Sequence, residues 1–112
     1  MAANWADVLK QAVESVKKKI KTEYGGQFFD SYHVLDELRS KSFEVDYIQY
    51  VARYGSFQTA HMQIGADLER NQDNFGIKKV FDSDNVPVRI PISETIRGGI
   101  DTVQLWKIIE NK

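Results

Sequence analysis

The apolar positions in the first quarter of the chain recur at spacings of three and four residues. This spacing predicts one apolar stripe along a helix of roughly five turns. Asn4 can cap the helix at its start, and Gly25-Gly26 is placed to stop it. The stripe that must be covered consists of Trp5, Val8, Leu9, Ala12, Val13, Val16 and Ile20.

The same periodicity predicts three shorter helices between residues 31 and 71. Asp30-Ser31 and Ser56 are cap signals for the first and the third of them. Gly55 is well placed to end the second in a left-handed conformation. We expect the second helix to face the core with Ile48, Val51 and Ala52, flanked by Tyr47, Tyr50 and Tyr54, and the third with Ala60, Ile64 and Leu68.

Beyond residue 76 the period of the pattern changes to two. Residues 86–92 alternate apolar and polar or proline positions, which predicts a strand at an edge, since Pro87 and Pro91 cannot donate ladder hydrogen bonds. Residues 77–81 and 102–109 also have the composition of strands, and residues 93–101 resemble an exposed loop. The whole chain, 1–112, is therefore predicted to be one α+β domain.

Composition narrows the class of protein without assigning a function. A chain of 112 residues fits one domain with a modest core. Because cysteine is absent, disulfides, thiol nucleophiles and thiolate metal sites are excluded. The net charge of -1 favours no partner class. No apolar run has the length of a membrane span, and the start lacks the apolar core of a signal peptide, so we expect a cytoplasmic protein.

Signals for catalysis or for a cofactor are weak. The two histidines, His33 and His61, are too far apart for a local helical metal pair. The chain has no phosphate-binding loop, no dinucleotide fingerprint and no serine nucleophile elbow. Asp82, Asp84 and Asn85 fit a tight turn better than a calcium loop, which needs a central glycine and a distal glutamate. We therefore expect no enzyme, no cofactor and no metal.

The order of elements resembles the winged helix-turn-helix family over residues 28–110. The likeness lies in three short helices before a β-hairpin or three-stranded antiparallel sheet, and in the helix-Gly-Ser-helix join at residues 54–57. Residues 1–25 would be an extra helix in front of this body. The resemblance implies that the helix after Ser56 lies in the major groove of double-stranded DNA, and that the hairpin loop reaches the DNA backbone or minor groove.

The DNA contacts that the resemblance implies come from one helix and from scattered basic residues. Glutamine pairs well with adenine edges, and threonine offers a hydroxyl or a methyl group. The implied function is that of a small transcriptional regulator, or of an accessory protein of a phage or mobile element. The candidate residues are Gln58, Thr59, His61, Met62 and Gln63 on the helix, with Arg53, Lys78 and Arg97 outside it.

Alternatives remain open for the fold, for the function and for the first helix. Another small α+β fold, with helices on one face of a short antiparallel sheet, fits the same order. The polar helix face is also consistent with solvated surface, or with a winged helix that contacts a protein instead of DNA. The first stripe can be covered by the domain's own body or by the same helix of a second chain. The homodimer would use Trp5, Leu9, Val13 and Val16.

Overall fold

The first helix has the boundaries that the sequence predicts. The structure, a computed structural model, describes residues 4–96 and 100–109, with the backbone alone at 92–96, 100 and 101. Helix α1 spans Trp5–Lys19 and continues as a π-helical turn over Ile20–Tyr24. The Asn4 side chain accepts a hydrogen bond from the Ala6 N–H at 2.8 Å, and Gly25 ends the turn with a φ of 61°.

The three predicted shorter helices are also present, and a fourth short one follows them. Ser56 Oγ accepts a hydrogen bond from the Thr59 N–H at 3.1 Å, and Gly55 has the predicted left-handed conformation with a φ of 78°. These two residues set a sharp turn between the second and third of these helices. The four helices are α2 (Ser31–Leu38), α3 (Glu44–Tyr54), α4 (Phe57–Arg70) and α5 (Gln72–Phe75).

A small antiparallel sheet completes the described part of this α+β fold. Strand β4 lies between β1 on one edge and β2 on the other. Leu105 accepts from the Val80 N–H and donates to the Val88 carbonyl, so β2 and β3 follow one another along the same edge of β4. Residues 81–87 form an excursion between them. The strands are β1 (Phe28–Asp30), β2 (Ile77–Lys79), β3 (Arg89–Ile96) and β4 (Ile100–Ile108).

The strand predictions need three corrections. Strand β1 was not predicted, because three residues are too few to show an alternating pattern. The loop prediction is wrong at residues 93–96, 100 and 101, since β3 extends to Ile96 and pairs with β4 from Ile100, while residues 97–99 lie outside the described part of the chain. Backbone hydrogen bonds form this hairpin regardless of the polar side chains along it. Strand β3 begins at Arg89 and not at Val86, and Pro87 forms only an isolated bridge with Phe81.

The core lies between α1, α2 and α4 on one side and the inner face of the sheet on the other. The prediction for α3 is partly wrong, because Ile48 is 56% exposed and Ala52 is exposed. Tyr47 and Tyr50 are buried instead, since their hydroxyl groups find partners on α4. The largest fully buried side chains are Trp106, Phe29, Phe75, Leu9, Leu38, Ile64, Leu68, Val13 and Val34.

The domain's own body covers the stripe of α1. Leu9 and Val13 are completely buried, and Val16 nearly so. Trp5 stacks on Tyr50, with 3.8 Å between the ring centroids. A homodimer through Trp5, Leu9, Val13 and Val16, the other cover that the sequence allows, is therefore not needed to bury this stripe. None of the described helices combines the length and the apolar composition needed to cross a membrane.

Candidate nucleic-acid interface and the adjoining cleft

Helix α4 has a buried face and an exposed face. Ala60, Ile64 and Leu68 form the buried face, which confirms the stripe predicted from their spacing. The side chains of Gln58, Thr59 and Met62 lie on the exposed face, and Met62 is 64% exposed. These three of the predicted site residues are therefore brought together on one surface, which is uncharged and close to the start of the helix.

His61 lies inside the protein, contrary to its predicted place at a DNA interface. The side chain is 4% exposed, and its Nε2 lies 2.7 Å from the Tyr47 hydroxyl oxygen. Burial and the positive charge of Arg39 lower the pKa of His61 below its usual value. His61 directly follows Ala60 and lies three residues before Ile64, so it borders the buried stripe and turns inward.

Gln63 belongs to a polar cluster around Asp67 that joins three helices. The Gln63 side-chain amide donates to Asp67 Oδ1 at 3.1 Å, and Arg70 donates to the same oxygen. Asp67 Oδ2 accepts from the Trp5 indole at 3.2 Å and from the Tyr50 hydroxyl at 2.8 Å. Burial and the hydrogen bond to Asp67 raise the pKa of Tyr50. Gln63 therefore has a structural partner, which its spacing of four from Asp67 could have indicated.

The predicted basic residues that the structure describes lie outside α4 on different elements, and only Lys78 among them is shown to face away from the helices. Arg53 is exposed at the last turn of α3, near the Gly55-Ser56 turn. Lys78 lies opposite Lys107 on the sheet, and both are exposed. Because Ile77, Trp106 and Ile108, which flank this pair along the two strands, are buried, Lys78 faces away from the helices. Arg97 lies outside the described residues.

A cleft of about 360 Å³ separates α4 from the sheet. Its floor is apolar, and small residues on α4 widen it. The sheet wall carries polar and basic groups, including Arg89, which was not predicted as a site residue. The floor is formed by Leu35, Ile64, Val103 and Trp106, the helix wall by Met62, Gly65 and Ala66, and the sheet wall by Lys79, Arg89 and Thr102.

The charged groups at the rim of the cleft are held by neighbours. Lys79 Nζ lies 3.0 Å from Glu69 Oε1, so these two charges offset each other. Arg89 donates from Nε to Thr102 Oγ1 at 3.0 Å and from Nη2 to the Thr102 carbonyl at 2.8 Å. Among the side chains that the structure describes, Arg89 has no carboxylate partner. Thr102 thus holds the positively charged guanidinium group of Arg89 at the rim of the cleft.

The described residues contain no group of three or more histidine, aspartate or glutamate side chains that could hold a metal ion. Comparisons of the chain with protein-family models, with curated proteins and with solved structures found no match. Function is therefore inferred from the residues and their geometry.

Proposed function

We propose that the chain is a winged-helix DNA-binding module. Helix α4 is the recognition helix, and the β3–β4 hairpin is the wing. The order of α3, the Gly55-Ser56 turn, α4 and an antiparallel hairpin supports this proposal. We further propose a role as a small cytoplasmic transcriptional regulator, or as an accessory protein of a phage or mobile element.

The exposed face of α4 is the observation that carries the proposal. Gln58, Thr59 and Met62 lie on the first turns, opposite a buried stripe, as a helix in the major groove requires. Glutamine can make two hydrogen bonds to adenine, and an apolar side chain can contact the thymine methyl group. Ser56 Oγ donates to Thr59 Oγ1 at 2.9 Å, so the Thr59 hydroxyl hydrogen remains for an outside acceptor.

Phosphate contacts must come from local cations, because the net charge of the chain is -1. Arg53 is exposed beside the helix-turn-helix join, and Arg89 is exposed on the hairpin strand. Arg97 is close in sequence to the hairpin and completes the set that we propose. The positive N-terminal end of α4 also favours a phosphate. Two or three such contacts support binding of modest affinity that depends on salt.

Selection from a pool of random duplexes tests the proposal. The selected duplex is then titrated by fluorescence anisotropy with Gln58→Ala and with Gln11→Ala, which removes an exposed glutamine from α1 as a matched control. Gln58→Ala should cost about 1–3 kcal/mol of discrimination at one base position, and Gln11→Ala should cost none. A pool without any enriched sequence, or equal effects of the two variants, would reject base recognition by α4.

Exposed apolar residues on α3 favour a second candidate, a winged helix that contacts a protein. Val45 is 67% exposed and Ile48 is 56% exposed, one turn apart on the same helix. Exposed apolar groups mark interaction surfaces when they form a patch. The variant Ile48→Ser separates the two candidates, since under the DNA proposal it leaves duplex affinity unchanged. An interface with an apolar core would also respond far less to added salt than a phosphate interface does.

A further inference from the structure

The cleft between α4 and the sheet has the features of a small-molecule site. Its volume of about 360 Å³ lies at the lower end of the range typical of ligand pockets. The floor is apolar, and polar groups lie along the sheet wall. We infer that this cleft binds a small molecule with an apolar body and one carboxylate group. The inference does not depend on DNA binding.

Gly65 opens the helix wall of the cleft. It lies inside α4, where glycine lowers helix stability relative to alanine. Its φ is not among the positive values of the described glycines, so the backbone does not require glycine there. Apart from Ile64, Ala66 and the helix's own backbone, no described atom lies within 4 Å of the position that a Cβ would take. The space beside Gly65 therefore admits the apolar body of a ligand.

His61 lines the cleft and has a buried ring nitrogen for which the described residues supply no hydrogen-bond partner. The side chain lines the cleft and is 4% exposed, and the Tyr47 hydroxyl fixes the ring through Nε2. Among the described residues, Nδ1 has no hydrogen-bond partner. A buried polar atom without a partner is unfavourable, so a polar atom of a ligand that reaches Nδ1 is stabilising.

The rim selects a single negative charge. Arg89 is held by Thr102 through Nε and Nη2, which leaves Nη1 for a carboxylate oxygen. Lys79 is already paired with Glu69. A doubly charged phosphate group would meet Arg89 together with the negative charge of Glu69. A carboxylate therefore fits this rim better than a phosphate does.

The two tryptophans of the chain provide a reporter and an internal control. Trp106 lies in the cleft floor, and its indole N–H donates to Ser31 Oγ at 2.9 Å. Trp5 donates to Asp67 and does not line the cleft. The ¹⁵N-labelled chain is titrated with benzoate, phenylacetate and 3-phenylpropionate, and separately with their primary amides. At least one acid should shift the Trp106 indole signal saturably and leave the Trp5 signal in place.

Variants of the two walls test the assignment. Arg89→Gln should weaken acid binding roughly tenfold or more and leave amide binding unchanged. Gly65→Leu should abolish binding of both by filling the cleft, and Ala66→Leu serves as a second blocking variant if the first misfolds. The absence of a saturable Trp106 shift with every acid would overturn the inference. Equal binding of acid and amide, or an unchanged affinity in Arg89→Gln, would also overturn it.

Discussion

Replacing Gly65 by alanine should stabilise the protein, although glycine is the natural residue. Helix α4 spans Phe57–Arg70, so residue 65 lies well inside it. An alanine there has a higher helix propensity than glycine and restricts the unfolded chain more. Substitutions in buried or half-buried helices usually destabilise, so an increase in stability is a specific expectation.

The size of the effect follows from the surroundings of Gly65. Apart from the two chain neighbours and the helix backbone, the added methyl group meets no described atom within 4 Å, so it neither clashes with another element nor packs closely against one. Only the propensity difference remains, which is about 0.5–1 kcal/mol for glycine and alanine in a helix interior. For a domain of this size, such a gain raises the melting temperature by roughly 2–6 °C.

Urea unfolding followed by circular dichroism measures this change. The midpoint should rise while the m-value stays the same, since the surface exposed on unfolding is unchanged. Gly55→Ala is the matched control. A Cβ at Gly55 also meets no described atom within 4 Å apart from its two chain neighbours, but the φ of Gly55 is 78°. That change should destabilise by about 1–2 kcal/mol, since alanine is strained there. If Gly65→Ala is destabilised while Gly55→Ala shows its expected loss of stability, the space beside Gly65 on α4 is not open and the reasoning is refuted.

Three further predictions concern packing, the sheet and pH. Leu9→Ala should lower the free energy of unfolding by about 2–5 kcal/mol in a thermal melt, without changing the sedimentation coefficient, because Leu9 is buried within one chain. Gln104→Leu should cost about 1–3 kcal/mol in urea unfolding, since the Gln104 amide donates to the carbonyls of Val80, Val88 and Leu105. The pKa of His61 is lower in the folded protein than in the unfolded chain, so the unfolded chain binds a proton at His61 more readily. The free energy of unfolding should therefore keep its full value above pH about 6.5 and decline as the pH falls below it. Between pH 7 and 5, urea unfolding should show a steeper loss in the natural protein than in His61→Gln.

Local patterns were sufficient to predict the first four helices, α1 to α4. The stripe of α1 and the join at Gly55-Ser56 depend on residues that are neighbours in sequence, so their signals survive without tertiary context. Strand β1 has no such signal, because its three residues become a strand only by pairing with β4 at the other end of the chain. The inner face of α3 also needed tertiary information. Tyr47 and Tyr50 turn inward because their hydroxyl groups form hydrogen bonds with side chains on α4. The Tyr47 hydroxyl pairs with His61 Nε2, and the Tyr50 hydroxyl donates to Asp67 Oδ2.

The candidate site was predictable where it depended on helix periodicity alone. Gln58 and Met62 lie off the buried stripe of α4 and are exposed as expected. His61 borders the stripe, where spacing does not decide between the interior and the surface. The cleft could not be predicted, because the register of β3 against β4 is what places Arg89 opposite Gln104.

The central claim, that α4 and the hairpin bind duplex DNA, is tested most directly by the salt dependence of binding. Anisotropy of a labelled selected duplex is measured across a range of salt concentrations. If Arg53, Arg89 and Arg97 contact phosphates, the logarithm of the binding constant should fall linearly with the logarithm of the salt concentration, with a slope of roughly -2 to -3. Arg89→Gln should reduce the slope by about one unit. Absence of binding at low salt, or binding that does not change with salt, would contradict the claim.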